Sequence, residues 1–192
     1  MAEQQQFTIK DDGGSRIQFV SDAPLETITG VTSHVNGHII GDPGQLSSVK
    51  GKVSAQVKSI KTGIDLRDEH LRSDSWLDAK KYPKATFEVK KVTGAKAIKP
   101  NKSIKAKVHG VFTLHGVSHP VVADTSVRWV PLTEEMKKIP GMEGDVLMIQ
   151  GSFKIKLTDY KVSVPTIVQL KVSDEIEVNV NLRAQKIAAE NK

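Results

Sequence analysis

Residues 175–182 read Glu175-Ile176-Glu177-Val178-Asn179-Val180-Asn181-Leu182, four apolar side chains alternating with four polar ones. Successive side chains of a β-strand point to opposite faces, so this run places Ile176, Val178, Val180 and Leu182 on a buried face and their polar neighbours in water. The same period of two returns upstream. Leu147, Ile149, Gly151, Phe153, Ile155 and Leu157 share a face, as do Val121, Ala123, Thr125, Val127 and Trp129. Ile104, Ala106, Val108, Gly110, Phe112 and Leu114 share one face of a strand about eleven residues long, with Lys105, Lys107 and Thr113 opposite. Thr86 to Val92 pairs Phe87 with Val89, Lys52 to Ile60 groups Val53, Ala55 and Val57, and Arg16 to Val20 groups Ile17 with Phe19. Sustained 3.6-residue periodicity is scarce. Seven or eight such strands, separated by turn signals, indicate an all-β fold, an antiparallel barrel or sandwich. A ten-residue strand at ~3.3 Å per residue exceeds about 30 Å, which favours a tall barrel. At eight strands a barrel is either filled by its own side chains or wide enough for one small ligand. The alanine and glycine on the 104–114 face, and Gly151, are either close packing or room for a guest.

The chain has 192 residues, 38% of them hydrophobic, which fits one globular domain spanning 1–192, with 1–6 and 186–192 expected to fray. There is no cysteine, so thiol catalysis, thiolate metal sites and disulfides are excluded and the redox compartment stays open. The longest apolar runs, such as Val146 to Ile149, are far short of the ~20 residues of a membrane helix. Met1 to Phe7 shows neither the basic nor the apolar region of an export signal.

The net charge of +6 is unevenly spread: Lys50 to His109 holds 16 basic and 6 acidic residues. Lysines there alternate with small or apolar residues, as in Lys52-Val53-Ser54-Ala55-Gln56-Val57-Lys58. That is the pattern of a solvated sheet face whose cations discourage edge-to-edge association, with an anion-steering surface as the alternative. Only nine aromatic residues are present, and none interleaves with the basic ones as a base-stacking platform requires, so nucleic acid is not an expected partner.

Breaks are expected at Asp42-Pro43-Gly44, Lys99-Pro100-Asn101, Pro131 to Gly144, with one helical turn over Thr133 to Lys138, and Val164-Pro165-Thr166. Asp65 to Pro83 departs from the alternation. Asp68 and Arg72 have the i,i+4 spacing of a helical ion pair, Ser75-x-x-Asp78 resembles a capping box, and Pro83 is a stop. Two short helices over residues 66–82, carrying Leu66, Leu71, Trp76, Leu77 and Tyr82, would plug one end of a barrel.

The run Arg67-Asp68-Glu69-His70-Leu71-Arg72-Ser73, then Trp76-Leu77-Asp78, Lys81-Tyr82-Pro83 and Thr86-Phe87, followed by Thr113-Leu114-His115-Gly116-Val117 and His119-Pro120-Val121, resembles the YceI-like family across about 55 residues. The resemblance implies an elongated, eight-stranded antiparallel barrel of lipocalin type that binds a long amphiphile, such as a polyisoprenoid, an isoprenoid quinone or a fatty acid or amide. It also implies a periplasmic or secreted protein.

On that basis the expected cavity wall is Ala55, Val57, Phe87, Val89, Ala106, Val108, Phe112, Leu114, Phe153 and Ile155, with Leu71, Trp76 and Tyr82 at one end. Arg67, His70 and Arg72 are the candidates for a polar head group, since a guanidinium offers paired donors to phosphate and an imidazole adds another. The alternative is structural: Arg67 and Asp68 pair with neighbouring strands and His70 steadies the plug. His115 and His119 are four apart, as are His34 and His38, but that spacing makes one ligand face only on a helix, and 114–120 reads as a hairpin turn, so no metal site is expected. No nucleophile elbow, P-loop or dinucleotide fingerprint is present, and no cofactor is expected. The chain reads as a non-enzymatic binder, carrier or store of a long-chain lipid. A transient membrane contact and a homodimer are compatible with that reading. The rival is a stress-response or interaction module with a packed interior and a Lys-rich outer face that meets an acidic partner.

Overall fold

In the computed structural model, which describes residues 4–186, ten strands and one short helix build a closed antiparallel barrel. The strands are β1 (Gln5–Ile9), β2 (Arg16–Asp22), β3 (Thr27–Thr32), β4 (Val35–Asp42), β5 (Gln45–Gln56), β6 (Lys84–Thr93), β7 (Ser103–Leu114), β8 (Val117–Val130), β9 (Val146–Lys156) and β10 (Glu175–Lys186). They occupy eight positions around the wall. β1 and β2 both run antiparallel to β10, Phe7 opposite Lys186 and Arg16 opposite Asn181, so they form one long row interrupted by residues 10–15. β3 and β4 form a second interrupted row, paired with β2 and β1 respectively. From there the order β4-β5-β6-β7-β8-β9-β10 returns to β1 and closes the ring, while the outer edge of β3 is met by a single bridge between Val31 and Lys61. The interruption in the first row leaves the Arg183 amide without a strand partner, and Ser15 supplies one: its buried Oγ accepts that N–H at 3.0 Å.

Gln5 and Gln6, expected to fray, instead pair with Gly41 and Ile40. Lys186 pairs with Phe7. These ends are held because they complete the closing seam; residues 1–3 and 187–192 lie outside the described residues.

The long alternating runs form strands as their period requires. β5 stops at Gln56, earlier than the alternation through Ile60 suggests, and residues 57–59 form a 3₁₀ turn anchored by the Val57 amide on the Pro83 carbonyl at 2.9 Å. Between β7 and β8, Leu114 pairs with Val117 across a two-residue turn in which His115 and Gly116 have φ of 52° and 73°. That is the twist-matched turn of a tight hairpin, where glycine meets no penalty for its left-handed backbone.

The segment between β5 and β6 holds one helix, α1 (Asp65–Arg72), where two were expected. After it the chain winds through turns, the Asp78 amide reaching back to the Ser73 carbonyl, and Asp78 itself has φ of 44°, which a helix cannot accommodate. Asp68 and Arg72 do not pair. Asp68 is drawn to Thr62 and Lys61, and Arg72 donates to the Lys58 carbonyl at 3.2 Å.

Candidate functional site

The barrel is hollow. Its inner faces enclose a cavity of about 580 Å³ lined almost wholly by aliphatic and aromatic side chains, a size typical of sites for small organic ligands. Strand register sets the wall. Phe87 on β6 lies opposite Phe112 on β7, and Phe153 on β9 opposite Val178 on β10, so three aromatic rings gather in the half nearer α1. Phe112 and Phe87 stand 5.2 and 5.7 Å from Phe153, in edge and tilted arrangements that pack rings favourably.

Ala55, Leu71, Trp76, Phe87, Val89, Ala106, Val108, Phe112, Leu114, Phe153 and Ile155 all line the cavity. Val57 and Tyr82 do not. Val57 leaves the wall because its residue begins the 3₁₀ turn after β5, which turns it into the core behind Phe112. Tyr82 stacks edge-on against His115 at 4.7 Å, under the β7–β8 hairpin. Ile28, Ile39, Leu46 and Val49, on β3 to β5, and Ile17, Phe19, Val178 and Val180, on β2 and β10, also line it beyond the expected wall; on β3 and β4 threonine and glycine dilute the alternation. Lys171 was also missed, because it lies in an irregular stretch before β10 with no periodicity to place it.

The small residues split between the two readings. Ala106 and Ala123 are cavity wall. Gly110 is close packing, since a β-carbon there would run into the Phe87 ring.

The cavity has a shut end and an open one. At the shut end, Leu46, Ile98, Leu147 and Leu182 line it and all are buried. Two loops zip together there, the Leu46 amide on the Lys96 carbonyl and the Ile98 amide on the Pro43 carbonyl, both at 2.8 Å. Asp145 fastens a third: its carboxylate accepts from the Trp129 indole at 3.0 Å and the Leu132 amide at 2.9 Å. At the other end Ile64, Leu66, His70 and Lys171 both line the cavity and face solvent, which marks the mouth.

Polar groups around the mouth are mostly committed to one another. Arg67 donates from Nε to Thr62 Oγ1 at 2.9 Å, from one terminal nitrogen to Glu26 at 2.7 Å and from the other to the Thr62 carbonyl at 2.9 Å. Its fork is therefore occupied in holding α1 to the β2–β3 turn. Asp68, 1% exposed, accepts both the amide and the hydroxyl of Thr62 at 2.7 Å and lies 3.6 Å from Lys61. Burial raises its carboxyl, but the Thr62 donors and the Lys61 charge outweigh it and hold the group below the usual carboxylate range. Arg72 does not reach the cavity and is spent on the Lys58 carbonyl. Of the three head-group candidates only His70, exposed at the mouth, has no such engagement among the described residues.

His115 and His119 serve the shell behind the aromatic wall. Their ring N–H groups donate to the Tyr160 and Asp159 carbonyls at 3.1 and 2.9 Å, pinning the turn after β9. Tyr160 is 1% exposed, its ring packed between Phe112 and His119, and its hydroxyl finds no hydrogen-bond partner among the described residues. Burial, with Asp159 nearby, pushes that phenol up to about 12.

A sequence profile described as the YceI-like domain matches residues 8–184. The chain belongs to the YceI-like family. A UPF0312 protein of Pseudomonas fluorescens is 35% identical over 97 residues, covering 50% of this chain and 48% of that one. One from Vibrio cholerae is 32% identical over 95 residues, covering 50% and 47%. The match thus spans about half the length of these curated relatives. Among solved structures, BcnA of Burkholderia cenocepacia superposes with a TM-score of 0.72 at 20% identity, over 92% of this chain and 99% of its own. A polyisoprenoid binding domain from Saccharophagus degradans gives 0.71 at 19% identity, over 96% and 100%. At that identity the likeness speaks for the fold: the closed barrel of this YceI-like chain is shared.

Proposed function

We propose that this YceI-like protein is a non-enzymatic binder of a single long-chain amphiphile, held with its tail inside the barrel, in a periplasmic or secreted setting. The observation that carries the reading is the apolar cavity, shut at one end and open at the other. At roughly 0.8 kcal/mol per buried CH₂, a twelve-carbon tail gains about 9 kcal/mol before ordering costs are subtracted, enough to retain a lipid through purification. The polyisoprenoid-binding neighbour in Saccharophagus degradans supports an isoprenoid chain as the first ligand to try, ahead of a fatty acid or amide. The hollow interior weighs against the rival module with a packed core. Transport or storage is the role such a site would serve.

Organic extraction of purified protein followed by mass spectrometry is expected to recover a long-chain lipid in near-stoichiometric amount. Ala106→Trp, which fills the cavity from its wall, is expected to abolish recovery while the protein stays folded. Clean extracts from several hosts, together with no uptake of farnesyl or fatty-acyl probes, would overturn the proposal.

A further inference from the structure

Eight large hydrophobic side chains stand exposed among the described residues, and five of them, Leu25, Ile64, Leu66, Ile167 and Leu170, surround the cavity mouth. Ile167 is 92% exposed, Leu25 69% and Leu66 61%. They come from three separate segments that are tied into one rim. The Leu25 amide donates to the Leu170 carbonyl at 2.8 Å, and Arg67 on α1 donates to Glu26 at 2.7 Å. The rim is also continuous with the interior: Ile64 and Leu66 are themselves cavity wall, and Val168 and Val172 turn inward beside the exposed Ile167 and Leu170. A soluble surface seldom gathers its exposed apolar side chains in one place unless something covers them.

The charges on the rim decide what the cover is. Glu26 is paired with Arg67, and Asp68 with Lys61, while Asp65 and Glu69 are balanced by Lys171 and Arg72, leaving two residual charges of each sign. The rim is therefore apolar and close to electrically neutral, although the protein as a whole carries +6. That matches the boundary between zwitterionic head groups and acyl chains, into which a few aliphatic side chains insert without any need for an anionic surface. We infer that the mouth docks on a lipid bilayer through Leu25, Leu66, Ile167 and Leu170, so that a tail passes between membrane and cavity without crossing water. The inference rests on the lipid-binding reading above, and its test separates the two.

Vesicles of phosphatidylcholine alone, and others with added phosphatidylglycerol, are floated with wild-type protein and with Ile167→Asp and Leu170→Asp, at low and at high salt. Wild type is expected to float with phosphatidylcholine alone and to change less than roughly twofold with salt, because insertion is not an electrostatic attraction. Each variant is expected to lose roughly tenfold or more in partitioning. Both change exposed positions, so their circular dichroism and their equilibrium affinity for a farnesyl probe supplied in solution, without vesicles, are expected to match wild type. No flotation with phosphatidylcholine, flotation only with the anionic vesicles and abolished by salt, or variants that float like wild type would each overturn the docking. So would a dimer on gel filtration that Ile167→Asp dissolves, since a second copy would then be the cover. Loss of extracted lipid from wild type would instead defeat the binding proposal.

Discussion

The two ends of the barrel are made from the same kind of connection between strands, yet one is sealed and the other gapes. At the sealed end the loops point apolar residues inward, as Ile98 does from 94–102, and fasten themselves by backbone bonds and by Asp145. At the open end the tight packing lies behind the wall, under Phe112 and Tyr160, and the loops around the mouth turn leucine and isoleucine outward. The sealed end is a core in the ordinary sense. At the open end the loops of the rim are held to that packing by polar ties, the Asp68–Thr62 and Arg67–Glu26 contacts. Stability and access are thus divided between the poles of one barrel.

The sharpest way to break this contrast is Trp129→Ala. It empties a buried ring position and leaves Asp145 without its indole donor, and is expected to lower the free energy of unfolding in urea by about 3–5 kcal/mol. Leu66→Ala, on the open rim, is expected to stay within about 0.5 kcal/mol of wild type in the same titration. Equal effects would mean that the mouth is as much a core as the floor.

Asp68→Ala is the corresponding change to the polar ties. It leaves the Thr62 amide and hydroxyl without their acceptor, and is expected to cost about 2 kcal/mol and to hasten proteolysis within residues 60–80 before any other segment. Acid does the same reversibly. Because the folded carboxyl of Asp68 lies below its unfolded value, the stability it contributes is present above the ordinary carboxylate range, about 3.9, and is lost as pH falls through the lowered folded value. The α1 end is therefore expected to open first in acid, read by protease accessibility between about pH 6 and pH 3. An unchanged cleavage pattern would deny Asp68 that role.

The smallest effect has the opposite sign. Tyr160→Phe removes a buried hydroxyl that has no partner, and is expected to leave stability unchanged or to raise it by up to about 1 kcal/mol in urea. A clear loss would show that the hydroxyl is satisfied in solution.

Much of this was legible in the chain. Period two placed Phe112, Phe153 and Ile155 on inner faces, and the motif from Arg67 to Val121 pointed to the family. β3 and β4 were not read, because Thr27 to Thr32 carries threonine and glycine where the pattern needs contrast. Nor was Lys171, in a stretch whose place follows from what β10 and the Leu25 turn hold it against. The roles of Arg67 and Arg72 were ambiguous for a related reason: a guanidinium suits phosphate and backbone carbonyl alike, and only its neighbours say which it meets.

Local alternation by itself determined that these residues form long two-faced strands, because side-chain direction in a strand depends only on position along it. Whether the inward faces would interlock or stand apart depended on closure: eight rows, two of them interrupted, meeting at the seam between β1 and β10. The ring's circumference follows from pairing between residues as distant as Phe7 and Lys186, so the hollow, and which of its ends is open, belongs to the tertiary structure alone.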